Sequence, residues 1–166
     1  TVVEKTIIDC SLSGRGFVLS SGEDGNTVIN GFTIINAGGD VNDSLSGPAI
    51  YIDGNSSPLI ANVDIADCRV YNGNGGAIYI GNKCGPTLNN VNIANCSAYS
   101  GNGGGVFIGI EAYPTFNSCK ITGCTASLTG GGIYGSIRSM PTFVDCEFSG
   151  NSAYNGGGAL YCQAGS

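Results

Sequence analysis

Any chemistry in this chain has to come from carboxylates and thiols, because it holds 12 Asp and Glu, eight Cys and no His. Without an imidazole there is no ordinary base poised near neutrality, no Ser-His or Cys-His nucleophile pair and no His-ligated metal. The cysteines form no zinc or thioredoxin signature either: CxxC does not occur, and the closest pair is Cys119 and Cys124. Three carboxylates fall near one another in the chain, Asp40 and Asp43 in a polar stretch and Asp53 after an apolar run. Oxygen ligands of this type suit calcium, which makes these three the metal candidates; solvated loop carboxylates are the plainer alternative. No other cofactor is expected.

What positions these groups is a single domain. The 166 residues, 42% of them hydrophobic, are enough for one core. Charged residues make up 11% and the net charge is -6. Six Lys and Arg cannot line a phosphate backbone, so nucleic acid is excluded as a partner. No apolar run approaches the roughly 20 residues of a membrane helix, so the chain is expected not to span a membrane. It opens at Thr1 with no signal-peptide pattern, as a processed chain or an excised piece would.

The organisation lies in a repeat. Pro58, Pro86, Pro114 and Pro141 fall 28, 28 and 27 residues apart, each eight residues after Ile50, Ile78, Val106 or Ile133. Two residues after the prolines stand Ile60, Leu88, Phe116 and Phe143; five after stand Val63, Val91, Cys119 and Cys146. Seven after come Ile65, Ile93, Ile121 and Phe148, and ten after come Cys68, Cys96, Cys124 and Asn151. Offsets of two and three fit short strands broken by one-residue corners and do not fit a 3.6-residue helix. Each copy therefore reads as three short strands separated by Gly-rich or Asn-rich corners, where positive backbone angles cost little. Such a copy buries its apolar side only by stacking on the next, with like residues in inward ladders, as in a parallel β-helix.

Charge supports the same alignment. Asn55, Lys83, Glu111 and Arg138 share one place in the repeat, and Lys120 shares another with Glu147, so stacked coils set opposite charges side by side. Residues 47–162 form the regular repeats of one domain spanning 1–166, and residues 1–46 are irregular first coils. In those, Ile29, Phe32 and Ile34 take the inward places, and insertions interrupt at Ser20 to Asn26 and Asn36 to Gly47.

The runs GGGIY at Gly130 to Tyr134 and GGGALYC at Gly156 to Cys162 resemble the right-handed parallel β-helix repeats of secreted and cell-surface proteins. So do PTF followed by Cys at Pro114 to Cys119 and Pro141 to Cys146. The run Gly75 to Ile78, with Phe148 to Asn151, is also similar to the repeats of polymorphic outer membrane proteins. The resemblance implies an all-β, single-stranded right-handed β-solenoid of about five coils of 27–28 residues, extracellular or at the cell surface. That architecture hosts adhesins, filaments, lyases and hydrolases alike. A polygalacturonase-like site would need a His and a paired RxK, and Arg15, Arg69 and Arg138 have no Lys two residues away. The expected role is therefore a structural module without catalysis, stacking end to end with copies of itself or forming part of a longer adhesin. A glycan-binding or polysaccharide-degrading module is the alternative. Neither TVVEKTIIDC nor GGGALYCQAGS supplies a cap for an exposed strand edge.

Three further sets of residues follow from the register. An outward aromatic column should run through Tyr51, Tyr79, Phe107, Tyr134 and Tyr161, packing on itself, offering a platform to glycans or making a lateral contact between molecules, with a partial one at Tyr71, Tyr99 and Tyr154. The inward columns Cys68, Cys96, Cys124 and Cys119, Cys146 are expected to be buried free thiols, with a Cys119–Cys146 bridge the best exception. Sequons at Asn42 and Asn55 fall in loops open to glycosylation, whereas Asn95 adjoins an inward cysteine and should be less accessible.

Overall fold

The structure is a computed structural model that describes residues 6–165. Among them are 19 strands and no helix. All sixteen pairings between strands are parallel, and they join equivalent segments of successive coils. The result is a three-walled solenoid.

The long wall carries the proline-led segments. Leu59–Ala66 pairs with Thr87–Ala94, which pairs in turn with Thr115–Asn117 and Lys120–Thr122. The short wall stacks Arg69–Val70, Ser97–Ala98, Thr125–Ala126 and Ser152–Ala153. The third wall stacks Phe17–Leu19, Ile50–Ile52, Ile78–Ile80, Val106–Ile108, Ile133–Gly135 and Leu160–Cys162. This wall is six strands deep, one more than about five coils, because the irregular first coil contributes a full rung at Phe17–Leu19.

The inward ladders form as the spacing requires. Ile60, Leu88 and Phe116 stack in one column, Val63, Val91 and Cys119 in a second, and Ile65, Ile93 and Ile121 in a third, none more than 2% exposed. Phe143, Cys146 and Phe148 continue the columns into the last rung, where they are only partly buried because no described strand lies beyond them. Ile29 and Ile34 are buried as expected, and Phe32 packs against the same core.

Corners explain which glycines recur. Gly75, Gly103 and Gly130 have φ of 67°, 69° and 70°, and a Cβ on Gly75 would collide with the Ile78 carbonyl. The glycine that follows has a different reason, since a Cβ on Gly76 would strike the Gly104 carbonyl of the next rung. Not every left-handed corner belongs to Gly or Asn. Lys83, Glu111 and Arg138 sit at φ of 60°, 57° and 58°, in the same column as Asn55. A side chain there costs about 1–2 kcal/mol, offset in part by the pairs Lys83–Glu111 at 3.9 Å and Arg138–Glu111 at 2.6 Å. The other charge column is also present, with Lys120–Glu147 at 3.2 Å.

Changes in coil length are confined to corners. The offset falls from 28 between Ala98 and Ala126 to 27 between Val106 and Ile133, so one residue is lost between the short wall and the third wall. The same corner gains three residues in an earlier coil: Gly38 to Gly47 spans nine steps where Arg69 to Gly75 spans six. The Ser20 to Asn26 insertion lies at a different corner, clasped where Ser56 Oγ donates to Glu23 Oε2 at 2.6 Å. The expectation that TVVEK provides no cap falls on residues 1–5, outside the described residues. At the opposite end Leu160–Cys162 pairs only with Ile133–Gly135 among the described strands.

Candidate functional site

The three aspartates are not brought together into one cluster. Asp43 closes its own loop, accepting the Asp40 amide at 3.0 Å, while Asp53 accepts the Tyr51 hydroxyl at 3.0 Å on the third wall. Among the described residues no group of three or more His, Cys, Asp and Glu is arranged to hold a metal ion. Each carboxylate instead satisfies groups near it, and the loop that carries Asp40 and Asp43 is spent on turning the chain. Asp43 thus acts as a loop clasp and Asp53 as hydrogen-bond acceptor of the aromatic column.

That column is the most organised feature of the surface. Tyr51, Tyr79, Phe107, Tyr134 and Tyr161 stand directly opposite one another in successive third-wall strands. Their rings stack with centroids 5.1, 5.1, 5.2 and 5.6 Å apart and planes within 6°, 4°, 13° and 5° of parallel. Each interior ring spends both faces on its neighbours and turns its edge to solvent. Sugars bind aromatic side chains by laying C–H groups on an open ring face, and the interior rings of this column offer solvent an edge instead. One end of the stack is closed by the Arg15 guanidinium, 4.6 Å from the Tyr51 centroid. The Tyr51 hydroxyl is pushed up to about 12, first by burial and then by the bond to Asp53. Burial also raises Tyr79 and Tyr134. The partial column is weaker: Tyr71 and Tyr99 stack at 4.9 Å, but Ser127 occupies the next place and Tyr154 is 88% exposed.

All eight cysteines are free thiols. Cys68, Cys96 and Cys124 are buried in one column, and Cys119 is buried below the partly exposed Cys146. The Cys119–Cys146 pair, the best exception to free thiols, is not bridged either. Cys119 Sγ donates instead to the Leu88 carbonyl and Cys146 Sγ to the Phe116 carbonyl, each at 3.4 Å, and burial pushes the Cys119 thiol up to about 11. Asn42 and Asn55 are exposed. So is Asn95, contrary to expectation, because its φ of 54° turns it outward at a corner while Cys96 points in.

Two elements escaped the spacing argument. Arg15 sits before the repeat becomes regular, so nothing in its offset marks it as the lid of the aromatic stack. The Glu23–Ser56 clasp joins an insertion to a corner, and only the carboxylate within that insertion hinted at it. No helix among the described residues is long and apolar enough to cross a membrane.

No curated protein and no solved structure matches the chain. A family model described as the right-handed beta helix region matches residues 25–166. The match is to that family as a whole and does not extend to the narrower polymorphic outer membrane protein repeats. A match over so much of the length, with the parallel three-walled coil behind it, places the chain in the right-handed β-helix family.

Proposed function

We propose that the chain is a non-catalytic structural β-solenoid that works outside the cell or on its surface and extends by stacking coil upon coil with copies of itself. The observation that carries this reading is the aromatic column, whose ring faces are consumed in joining rung to rung. A surface built that way supports stiffness along the axis rather than capture of a ligand. The exposed sequons at Asn42 and Asn55 are compatible with an extracellular setting. The parallel pairing that joins Ile133–Gly135 to Leu160–Cys162 is the contact that a second copy, or further coils of a longer surface protein, would make.

Electron microscopy of the purified chain at high concentration tests the proposal. Stacking predicts fibres with a subunit rise of about 25–30 Å, set by rungs about 4.8 Å apart. Leu160→Pro should keep the monomer largely folded and stop elongation, since proline removes a ladder donor at an edge. Single particles at every concentration would overturn self-stacking. Retention on an immobilised polysaccharide, or its cleavage, would favour the carbohydrate-active alternative instead.

A further inference from the structure

We infer that Cys68, Cys96 and Cys124 form a peroxide-reactive trithiol in which Cys96 makes a disulfide with either neighbour and exchanges between the two. The column does not depend on how the solenoid assembles, and it is defined by register. Ala66, Ala94 and Thr122 are paired on one side of it, and Arg69, Ser97 and Thr125 on the other. The three sulfurs therefore lie on successive rungs along the axis. Rungs about 4.8 Å apart fall within the Cα separations of about 4.4–6.8 Å that a disulfide spans.

Orientation is common to all three. Each Sγ contacts the carbonyl two residues before its own, Ala66 at 3.3 Å, Ala94 at 3.2 Å and Thr122 at 3.5 Å. The two neighbouring thiols, Cys124 first, raise the central Cys96, and Cys96 in turn lowers Cys124. In register the column ends at Ala37 below, where the Cys10 thiol lies near Cys68, and above it Asn151 accepts the Cys124 amide at 2.9 Å and donates to the Ile121 carbonyl at 2.7 Å.

The chemistry balances with a hydroperoxide as the oxidant. The Cys124 thiolate attacks a hydrogen peroxide oxygen, the O–O bond breaks, and the leaving hydroxide takes a proton as water. The Cys124 sulfenic acid then condenses with the Cys96 thiol, forming the S–S bond and releasing water. Exchange follows when the Cys68 thiolate attacks Cys96 from the side opposite Cys124, so that the S–S bond to Cys124 breaks as the new one forms. In-line attack needs three sulfurs in a row, which successive rungs supply. All three are no more than 1% exposed, so the oxidant has to be close to water in size. Bulky disulfides and maleimides are shut out.

The test uses the whole chain and hydrogen peroxide at neutral pH. After catalase quenching, remaining thiols are alkylated in denaturant and the protein is digested with trypsin, whose sites at Arg69, Lys83, Lys120 and Arg138 place the three cysteines on different peptides. The expected result is loss of two of the eight thiols with native circular dichroism retained. The Cys96–Cys124 link should form first and the Cys68–Cys96 link should grow from it. Cys68→Ala should leave only the first link, and Cys96→Ala should abolish both; alanine already fills this place at Ala37. A Cys68–Cys124, Cys10–Cys68 or Cys119–Cys146 link as the main product would overturn the inference. So would oxidation confined to exposed Cys162.

Discussion

Replacing Ile93 with aspartate puts the register under the most direct strain. Ile93 is 1% exposed, with Ile65 below it and Ile121 above it, each also 1% exposed. Loss of a large buried aliphatic side chain costs about 2–5 kcal/mol. A carboxylate between two isoleucine layers has no cation in its column, and holding it ionised there adds several kcal/mol more. The sum rivals the roughly 5–15 kcal/mol that keeps a whole domain folded. The neighbouring substitution Asn92→Asp exchanges a part-buried bond, Asn92 Nδ2 to Asp64 Oδ1 at 2.7 Å, for two facing carboxylates, offset in part by Lys120 opposite it in the next rung. It should cost about 1 kcal/mol or less. Urea unfolding followed by far-ultraviolet circular dichroism separates the two variants. The buried carboxyl of Ile93→Asp would have its folded pKa raised, so its penalty is smallest below the ordinary aspartate value near 3.9 and grows as pH rises towards the folded value. The variant should therefore lie closer to the parent protein at pH 4 than at pH 7. Equal midpoints for the two variants, or a worse result for Asn92→Asp, would refute the inward and outward assignment.

Other outcomes follow from the same architecture. Spectrophotometric titration should show one tyrosine ionising near pH 12, and Asp53→Asn should bring it down; because the fold favours the neutral phenol, its contribution to stability is complete below about pH 10 and is lost as pH rises through 12. Phe107→Ala removes two stacked contacts, at 5.1 and 5.2 Å, and should lower stability by about 1–3 kcal/mol on denaturant titration. Gly76→Val should block folding of the third wall, seen as loss of the β-sheet dichroism, because its side chain meets the Gly104 carbonyl. Thiol counting in denaturant without reductant should find eight, whereas a maleimide on the native chain should label Cys162 fastest.

The inward columns were legible because each rests on a periodicity of residue type that survives averaging over coils: Ile65, Ile93 and Ile121 are alike because they touch one another. The aromatic column was legible in place but not in attitude. Spacing tells which wall carries Tyr79, while the tilt of its ring is set by Tyr51 and Phe107 on either side. Asp40, Asp43 and Asp53 look adjacent in the chain, yet a corner and a wall separate them, and each meets a nearer donor. Lys83, Glu111 and Arg138 at left-handed corners run against their residue types, and the charge pairing that compensates them belongs to the neighbouring coil. Asn95 was misjudged for a related reason: one residue at positive φ reverses the direction of the next side chain.

The corner between the short wall and the third wall, where one coil drops a residue and another gains three, separates two kinds of information in the chain. Walls count residues strictly, since a slip of one would turn every inward side chain to solvent. That corner counts loosely: Asn74, Asn102 and Thr129 still bond from rung to rung, and the ladder resumes at the following glycine after one residue is dropped or three are added. Length can therefore vary there without being transmitted along the axis. The solenoid is in this sense a rigid ruler with a row of blank tabs along one edge, and a peptide grafted at Ser100 would hang from the shaft without shifting a single mark on it.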